Sequence, residues 1–156
     1  MNSAEVRVVK RELEGYLDQL ELARLAEEKA DELGKKYESM AGLRCMPLTK
    51  NDCGKNTGMK PDFTGKFLEI FDQQDELLQT AEQHRCRALR ARHFIEEVVE
   101  PLDKKRYEYF RLAYLNGVSY QSIGQRLGVP AATIKMGITR CLQQIPSYQA
   151  RRFGIL

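Results

Sequence analysis

Apolar residues recur at alternating spacings of three and four through the N-terminal part of the chain. This spacing predicts one long helix from Ala4 to about Met40, because such positions share one helix face. The apolar stripe comprises Val6, Val9, Leu13, Tyr16 or Leu17, Leu20 and Ala23. Gly15 and Gly34 are expected to weaken this helix locally, since glycine has a low helix propensity.

A second stripe of the same period predicts another long helix, from Phe63 to Val99, which Pro101 ends. This stripe comprises Phe67, Ile70 or Phe71, Gln74, Leu77 or Leu78, Ala81, Ala88, Ile95 and Val98 or Val99. The segment 41–62 between the two helices is rich in glycine and proline and is predicted to be a loop. Two long helices joined by one loop fold back on each other, so residues 1–100 are predicted to form an antiparallel hairpin.

The charge pattern favours one register of this hairpin, in which Met40 faces about Thr64. Arginines late in the second helix then lie near carboxylates of the first helix, and its early carboxylates lie near lysines. The two sets are Arg85, Arg87, Arg90 and Arg92 with Asp18, Glu14 and Glu12, and Asp72, Asp75 and Glu76 with Lys29, Lys35 and Lys36. The arginine run could instead bind phosphates.

A bare two-helix hairpin has little core. It needs the C-terminal bundle or a second copy of itself to bury its remaining apolar face. We therefore expect residues 1–100 to serve oligomerisation or partner binding, with a dimer favoured.

The segment SYQSIGQRLGVPAATIKMGITRCL, residues 119–142, has the pattern of a helix-turn-helix. Ser119 suits a helix N-cap, and Gly128 suits the left-handed position that ends a helix. Gly124 allows a second helix to cross closely, and Pro130 suits the start of that helix. We expect the second helix to be loosely held at Gly137. The alternative is a short helical hairpin that packs only against a partner protein.

Three apolar residues of the second motif helix, Ile134, Ile138 and Leu142, are expected to face inward. A second helix presented this way can lie in the DNA major groove. Lys135, Arg140 and Arg126 would then neutralise phosphates or reach guanine edges. The predicted DNA-binding residues are Tyr120, Gln121, Arg126, Thr133, Lys135, Met136, Thr139 and Arg140.

Net charge separates the two parts of the chain. The whole sequence carries +3, but residues 101–156 hold nine Lys and Arg against two carboxylates. This excess indicates that a polyanion meets the C-terminal part. A short helix, 103–116, precedes the motif, and the two together are predicted to form a helix-turn-helix domain of residues 101–146. Residues 147–156 are predicted to form an irregular tail.

Other classes of protein find little support in the sequence. It has no phosphate-cradling glycine loop and no nucleophile elbow, so we expect no enzyme and no cofactor. Cys45, Cys53, His84 and Cys86 lack the paired spacing of zinc ligands, so no metal site is expected. The charged segment MNSAEVRVVKRELEG differs from a signal peptide, and no apolar run is long enough to span a membrane. We expect a cytoplasmic protein with reduced thiols.

The segment YEYFRLAYLNGVSYQSIGQRLGVPAATIKMGITRCLQQI resembles region 4 of bacterial sigma-70-type factors. The whole chain is similar to phage and prophage late transcriptional regulators of the ArpU/RinA-like group, in which a helical N-terminal half precedes such a motif. The resemblance implies an all-α fold, binding to double-stranded DNA in a bacterial host cell, and activation of phage or mobile-element genes, with RNA polymerase as a further partner. Ala131 and Ala132, at the start of the second motif helix, offer no hydrogen bonds to bases.

Two other functions remain open at this point. One is a small terminase-like subunit for phage DNA packaging, in which the motif grips DNA and the hairpin builds a ring. The other is an adaptor that binds the transcription machinery without touching DNA.

Overall fold

The computed structural model describes residues 1–42 and 61–156, and all regular structure in these ranges is helical. The fold is all-α, as predicted. Helices α1 and α2 span Ser3–Glu14 and Tyr16–Gly42, and α3 spans Pro61–Phe94. The remaining helices are α4 (Glu100–Leu102), α5 (Lys104–Phe110), α6 (Tyr120–Leu127), α7 (Ala131–Gln144) and α8 (Ser147–Arg152). Two π-helical segments, Ile95–Val99 and Arg111–Leu115, follow α3 and α5.

The predicted first long helix is present, with an interruption at Gly15. The backbone of Gly15 stays helical, and its N–H donates to the carbonyl of Arg11. Of the predicted stripe, Val6, Val9, Leu13 and Ala23 are buried. Leu20 is 40% exposed, so it departs from the predicted stripe. The start of α1 is fixed by a capping box, in which Asn2 and Glu5 exchange hydrogen bonds.

Residues far apart in sequence form one compact unit. The first unit contains Met1–Glu21 and His84–Leu156, and the second contains Leu22–Gln83. The boundary near residue 100 that the sequence suggests is therefore not where these units divide. The two ends of the hairpin helices belong with the C-terminal helices, because α1 and the end of α3 supply their core.

The helices of the hairpin run antiparallel within each unit. In the first unit the Nδ1 atom of His84 lies 2.7 Å from Oε1 of Gln19. In the second unit the rings of Tyr37 and Phe71 lie 4.6 Å apart, and Gly34 lies against Gln74. His84 is next to Arg85, the residue that the predicted register sets opposite Gln19. The hairpin and its direction are thus confirmed.

Ion pairs on the hairpin helices include two that run along a single helix. Arg24 pairs with Glu28 on α2, and Nε of Arg92 lies 2.7 Å from Oε1 of Glu96. Arg92 thus pairs along its own helical segment, and the predicted charge pairing between the two hairpin helices stays a prediction. Pairs of this kind, four residues apart, stabilise a helix by about 0.3–0.5 kcal/mol and do not select a partner helix.

The core of the first unit joins α1, the end of α3, both π-helical segments and helices α5 to α8. Its largest fully buried side chains include Leu13, Phe94, Phe110, Ile123 and Ile138. The tail predicted to be irregular is helical at Ser147–Arg152, which corrects that prediction. Its helix is held because Ala150 and Ile155 enter the same core.

Among residues 1–42 and 61–156, no helix combines the length and the apolar character needed to cross a membrane. The predicted loop 41–62 lies mainly outside the described residues, as do Cys45 and Cys53.

Candidate nucleic-acid interface

Helices α6 and α7 form the predicted helix-turn-helix. The hydroxyl of Ser119 accepts a hydrogen bond from the backbone N–H of Ser122, at 3.2 Å, and so caps α6. Gly128 ends α6 with φ of +65°, a left-handed conformation that glycine adopts without strain. Val129 packs against the core from the turn, and Pro130 immediately precedes α7. Ser119, Gly128 and Pro130 take the roles that the sequence predicts.

Helix α7 turns one face inward and another outward. Its inward face buries Ile134, Ile138, Cys141 and Leu142. Of the predicted DNA-binding residues on this helix, Thr133, Lys135, Met136 and Arg140 are exposed. Met136 is 52% exposed although its side chain is apolar. The exposed part of α7 therefore carries two cations, a hydroxyl and an exposed thioether.

Gly137 is covered by an aromatic side chain. A Cβ atom at Gly137 would lie 3.4 Å from Cε2 of Tyr109, which is buried. The ring of Tyr109, on α5, thus packs closely over the backbone of α7 at position 137. The expectation that α7 is loosely held at Gly137 is therefore wrong.

The predicted contacts on α6 differ in their surroundings. Gln121 and Arg126 are exposed. The hydroxyl of Tyr120 lies 3.3 Å from that of Tyr114, and Tyr120 is half-buried. Leu127 is 40% exposed, although Ile123, one turn earlier on the same helix, is buried. Tyr120 therefore has less freedom to reach a ligand than Gln121 and Arg126.

Thr139 is engaged within the protein. Its hydroxyl donates to the backbone carbonyl of Lys135 at 2.8 Å and accepts from Nζ of Lys10 at 2.7 Å. Thr139 is half-buried, whereas Lys135 and Arg140 on the same helix are exposed. Its side chain thus links α7 to α1, in addition to any contact with a ligand.

Lys10 is a residue of this surface that the sequence analysis does not single out. Burial lowers the pKa of its ammonium group, and the charge of Lys135 lowers it further, while Glu14 acts in the opposite sense. Nothing in the spacing of α1 indicates this placement, because it depends on how α1 packs against α7. The side chain is nevertheless a further cation near Lys135.

The end of α7 is braced by the start of the chain. The amino group of Met1 donates to the carbonyls of Gln143 and Ile145, at 3.0 and 2.8 Å. The carboxylate of Glu5 accepts a hydrogen bond from the hydroxyl of Ser147 at 2.9 Å. These contacts fix the orientation of α7 relative to α1.

A second brace comes from α5. Arg106 donates to the side chain of Gln144 at 3.1 Å and pairs with Asp103 at 3.2 Å.

Burial raises the pKa of the nearby Cys141 thiol to about 11. The thiol is thus a packing group, and in residues 1–42 and 61–156 no group of three His, Cys, Asp or Glu side chains could hold a metal ion.

Comparisons of the chain with protein-family models, with curated proteins and with solved structures find no match.

Proposed function

We propose that this chain is a sequence-specific DNA-binding protein that regulates transcription, with α7 as its recognition helix. The observation that carries the proposal is the exposed side of α7, where Thr133, Met136 and Arg140 lie on the outward face and Lys135 lies at its flank. The inner face of the helix is fully packed. A braced helix with exposed cations has the shape and charge that the major groove admits.

Within this proposal the residues have different roles. Arg140 is long enough to reach either a guanine edge or a phosphate, and its planar fork suits both acceptors. Lys135 and the exposed Arg126 contact the phosphate backbone, and Gln121 does so from the start of α6. Contacts of this second kind set affinity and orientation, whereas contacts to base edges set sequence preference.

Apolar contacts supply part of the sequence preference. Ala132 and Met136 lie four residues apart on α7, and both are exposed. Side chains without hydrogen-bonding groups can still select thymine, through contact with its C5 methyl group. The proposal therefore predicts thymine at one or more positions of the preferred site.

The resemblance to phage late regulators extends the proposal to activation of phage or mobile-element genes. A dimer that places two copies of α7 on successive major-groove faces would bind two half-sites separated by about one helical turn, or 10 base pairs. The hairpin is the element that we propose for this dimer, with RNA polymerase as a second partner of the DNA-bound protein.

Selection of bound sequences from a random DNA pool tests the proposal, with the mass of the free protein measured by light scattering. We expect enrichment of a defined sequence with two related halves and a mass of two chains. The matched control is a Lys135→Ala/Arg140→Ala protein that melts like the parent and is expected to enrich no sequence.

Each other outcome contradicts part of the proposal. If the parent protein enriches no sequence, even at low salt, the result would contradict DNA binding and favour the adaptor function. A ring of eight or more chains that binds DNA without sequence preference would favour the packaging protein.

A further inference from the structure

Two lysines from different helices lie near each other at one side of α7. Lys10 extends from α1 and donates to Oγ1 of Thr139 at 2.7 Å. Lys135 lies one turn earlier on α7, and Thr139 donates to its backbone carbonyl. The single hydroxyl of Thr139 therefore positions Lys10 beside the turn of α7 that carries Lys135.

This arrangement is electrostatically unfavourable in the isolated protein. The pKa of Lys10 is lowered by burial and by the charge of Lys135, and Glu14 offsets these two effects only in part. Within the described ranges of the chain, neither lysine forms an ion pair with a carboxylate. An anion between the two ammonium groups would remove this repulsion.

The place of this pair on α7 indicates which anion fits. Ile138 and Leu142 mark the buried side of α7, and Ala132 and Met136 lie on its outward face. By the helical repeat, Lys135 and Thr139 lie between these two sides, at the flank against which Lys10 packs. When the outward face of a recognition helix lies in the groove, its flanks meet the sugar–phosphate backbone.

We infer that Lys10 and Lys135 together bind one backbone phosphate of DNA, and that Thr139 positions Lys10 for this contact. The N-terminal helix α1 is then part of the DNA interface, beside the helix-turn-helix. This inference rests on the proposed function. It assigns to α1 a direct role in binding that neither the motif nor the charge of the C-terminal part indicates.

Titrations of full-length protein with a selected DNA duplex at several salt concentrations test the inference. The variants are Lys10→Gln, Lys135→Gln and the double substitution, with Lys105→Gln as the control. Lys105 is exposed on α5 and carries the same charge, so its loss lowers the net charge equally without touching the proposed subsite. Melting temperatures establish that each variant is folded.

We expect Lys10→Gln to weaken binding several-fold and to flatten the salt dependence by about one unit of slope. Lys105→Gln should change both quantities much less. Because one phosphate has one charge to neutralise, the losses of the two single variants should not add in the double variant. Lys10→Arg, which keeps the charge, should retain most of the affinity.

Two results would overturn the inference while the proposed function stands. The first is that Lys10→Gln has the same affinity for DNA as Lys105→Gln, although the affinity of Lys135→Gln is lowered. The second is that the losses are fully additive, since Lys10 and Lys135 would then contact separate phosphates. If the wild-type protein itself binds no DNA at low salt, the proposed function fails, and this inference fails with it.

Discussion

A Cβ atom on Gly124 would lie 2.5 Å from the carbonyl oxygen of Val129, so the turn of the motif leaves no room for a side chain there. Gly124 is buried, and its own carbonyl accepts a hydrogen bond from the N–H of Val129 at 3.0 Å. The contact is with backbone rather than with a flexible side chain. Helices α6 and α7 can therefore approach this closely only with glycine at position 124.

The first prediction concerns this contact. Gly124→Ala should lower the free energy of unfolding by about 1–3 kcal/mol, because a backbone atom must shift to admit the added methyl group. Gly65→Ala is the matched control, since nothing lies within 4 Å of a Cβ there and alanine favours the helix. Urea unfolding measures both variants. Equal stability of Gly124→Ala and the parent would contradict the close crossing of the two helices.

The second prediction concerns acid stability through Glu5. A hydrogen bond from the backbone of Asn2 and a second from the hydroxyl of Ser147 hold the pKa of Glu5 below its ordinary value of 4.5. Its ionised form therefore stabilises the folded state above about pH 4.5, and this contribution is lost as pH falls through the lowered pKa. Glu5→Gln should melt at a lower temperature than the parent near neutral pH, and this difference should shrink on acidification.

A control distinguishes the effect of the Glu5 charge at this position from the loss of one negative charge elsewhere on α1. Gln at position 5 can still accept the bond from Asn2, because glutamine also completes a capping box. Glu12→Gln removes an equal charge from an exposed position on the same helix. A Glu5→Gln protein whose melting temperature follows that of Glu12→Gln at every pH would contradict the role of the Ser147 contact.

The third prediction concerns the Cys141 thiol. With a pKa of about 11, caused by burial, only about one thiol in a thousand is ionised near pH 8. A protein in which Cys141 is the only cysteine should therefore react with a disulfide reagent only after denaturant is added. The companion protein that retains only the half-buried Cys86 is the comparison. Rapid labelling of native Cys141 would show that the end of α7 opens readily.

The fourth prediction concerns base recognition. Met136 is proposed to contact a thymine methyl group. Replacing that thymine by uracil in the selected site should therefore weaken DNA binding by the parent protein. Met136→Ala should bind both DNAs alike, because the shorter side chain cannot reach the methyl group. Anisotropy titrations of the four combinations measure the coupling. Equal losses for both proteins on the uracil DNA would remove Met136 from that contact.

The elements of this fold were predictable where one short-range rule decided them. Ser119 caps, Gly128 adopts a left-handed backbone, and Ile134 and Ile138 repeat at helical spacing, so the motif follows from local chemistry. The antiparallel direction of the hairpin also follows from two long helices and one connecting segment. The predictions within the motif depend on residues a few positions apart, and the direction of the hairpin depends only on the order of its two helices.

Contacts between distant segments were not predictable in this way. The ring of Tyr109 covers Gly137, and the side chain of Lys10 reaches Thr139, because α5 and α1 pack on either side of α7. The π-helical segments escape a search for a 3.6-residue repeat, since each carries one extra residue per turn. The helix after Pro146 has few apolar residues of its own, and burial of Ala150 against the core holds it in place.

The order in which this chain is synthesised determines when the contacts that hold the helix-turn-helix can form. Glu5 bonds to Ser147, a residue 142 positions later, so this contact of α1 forms only after residue 147 has been made. Gln19 and His84 meet at the point where the chain leaves the first unit and returns to it. A shortened hairpin that preserves this junction would close a smaller loop at lower entropic cost and should speed folding of the first unit. A fragment that starts at residue 101 would lose α1 and Phe94, and with them the packing that holds α7 in place.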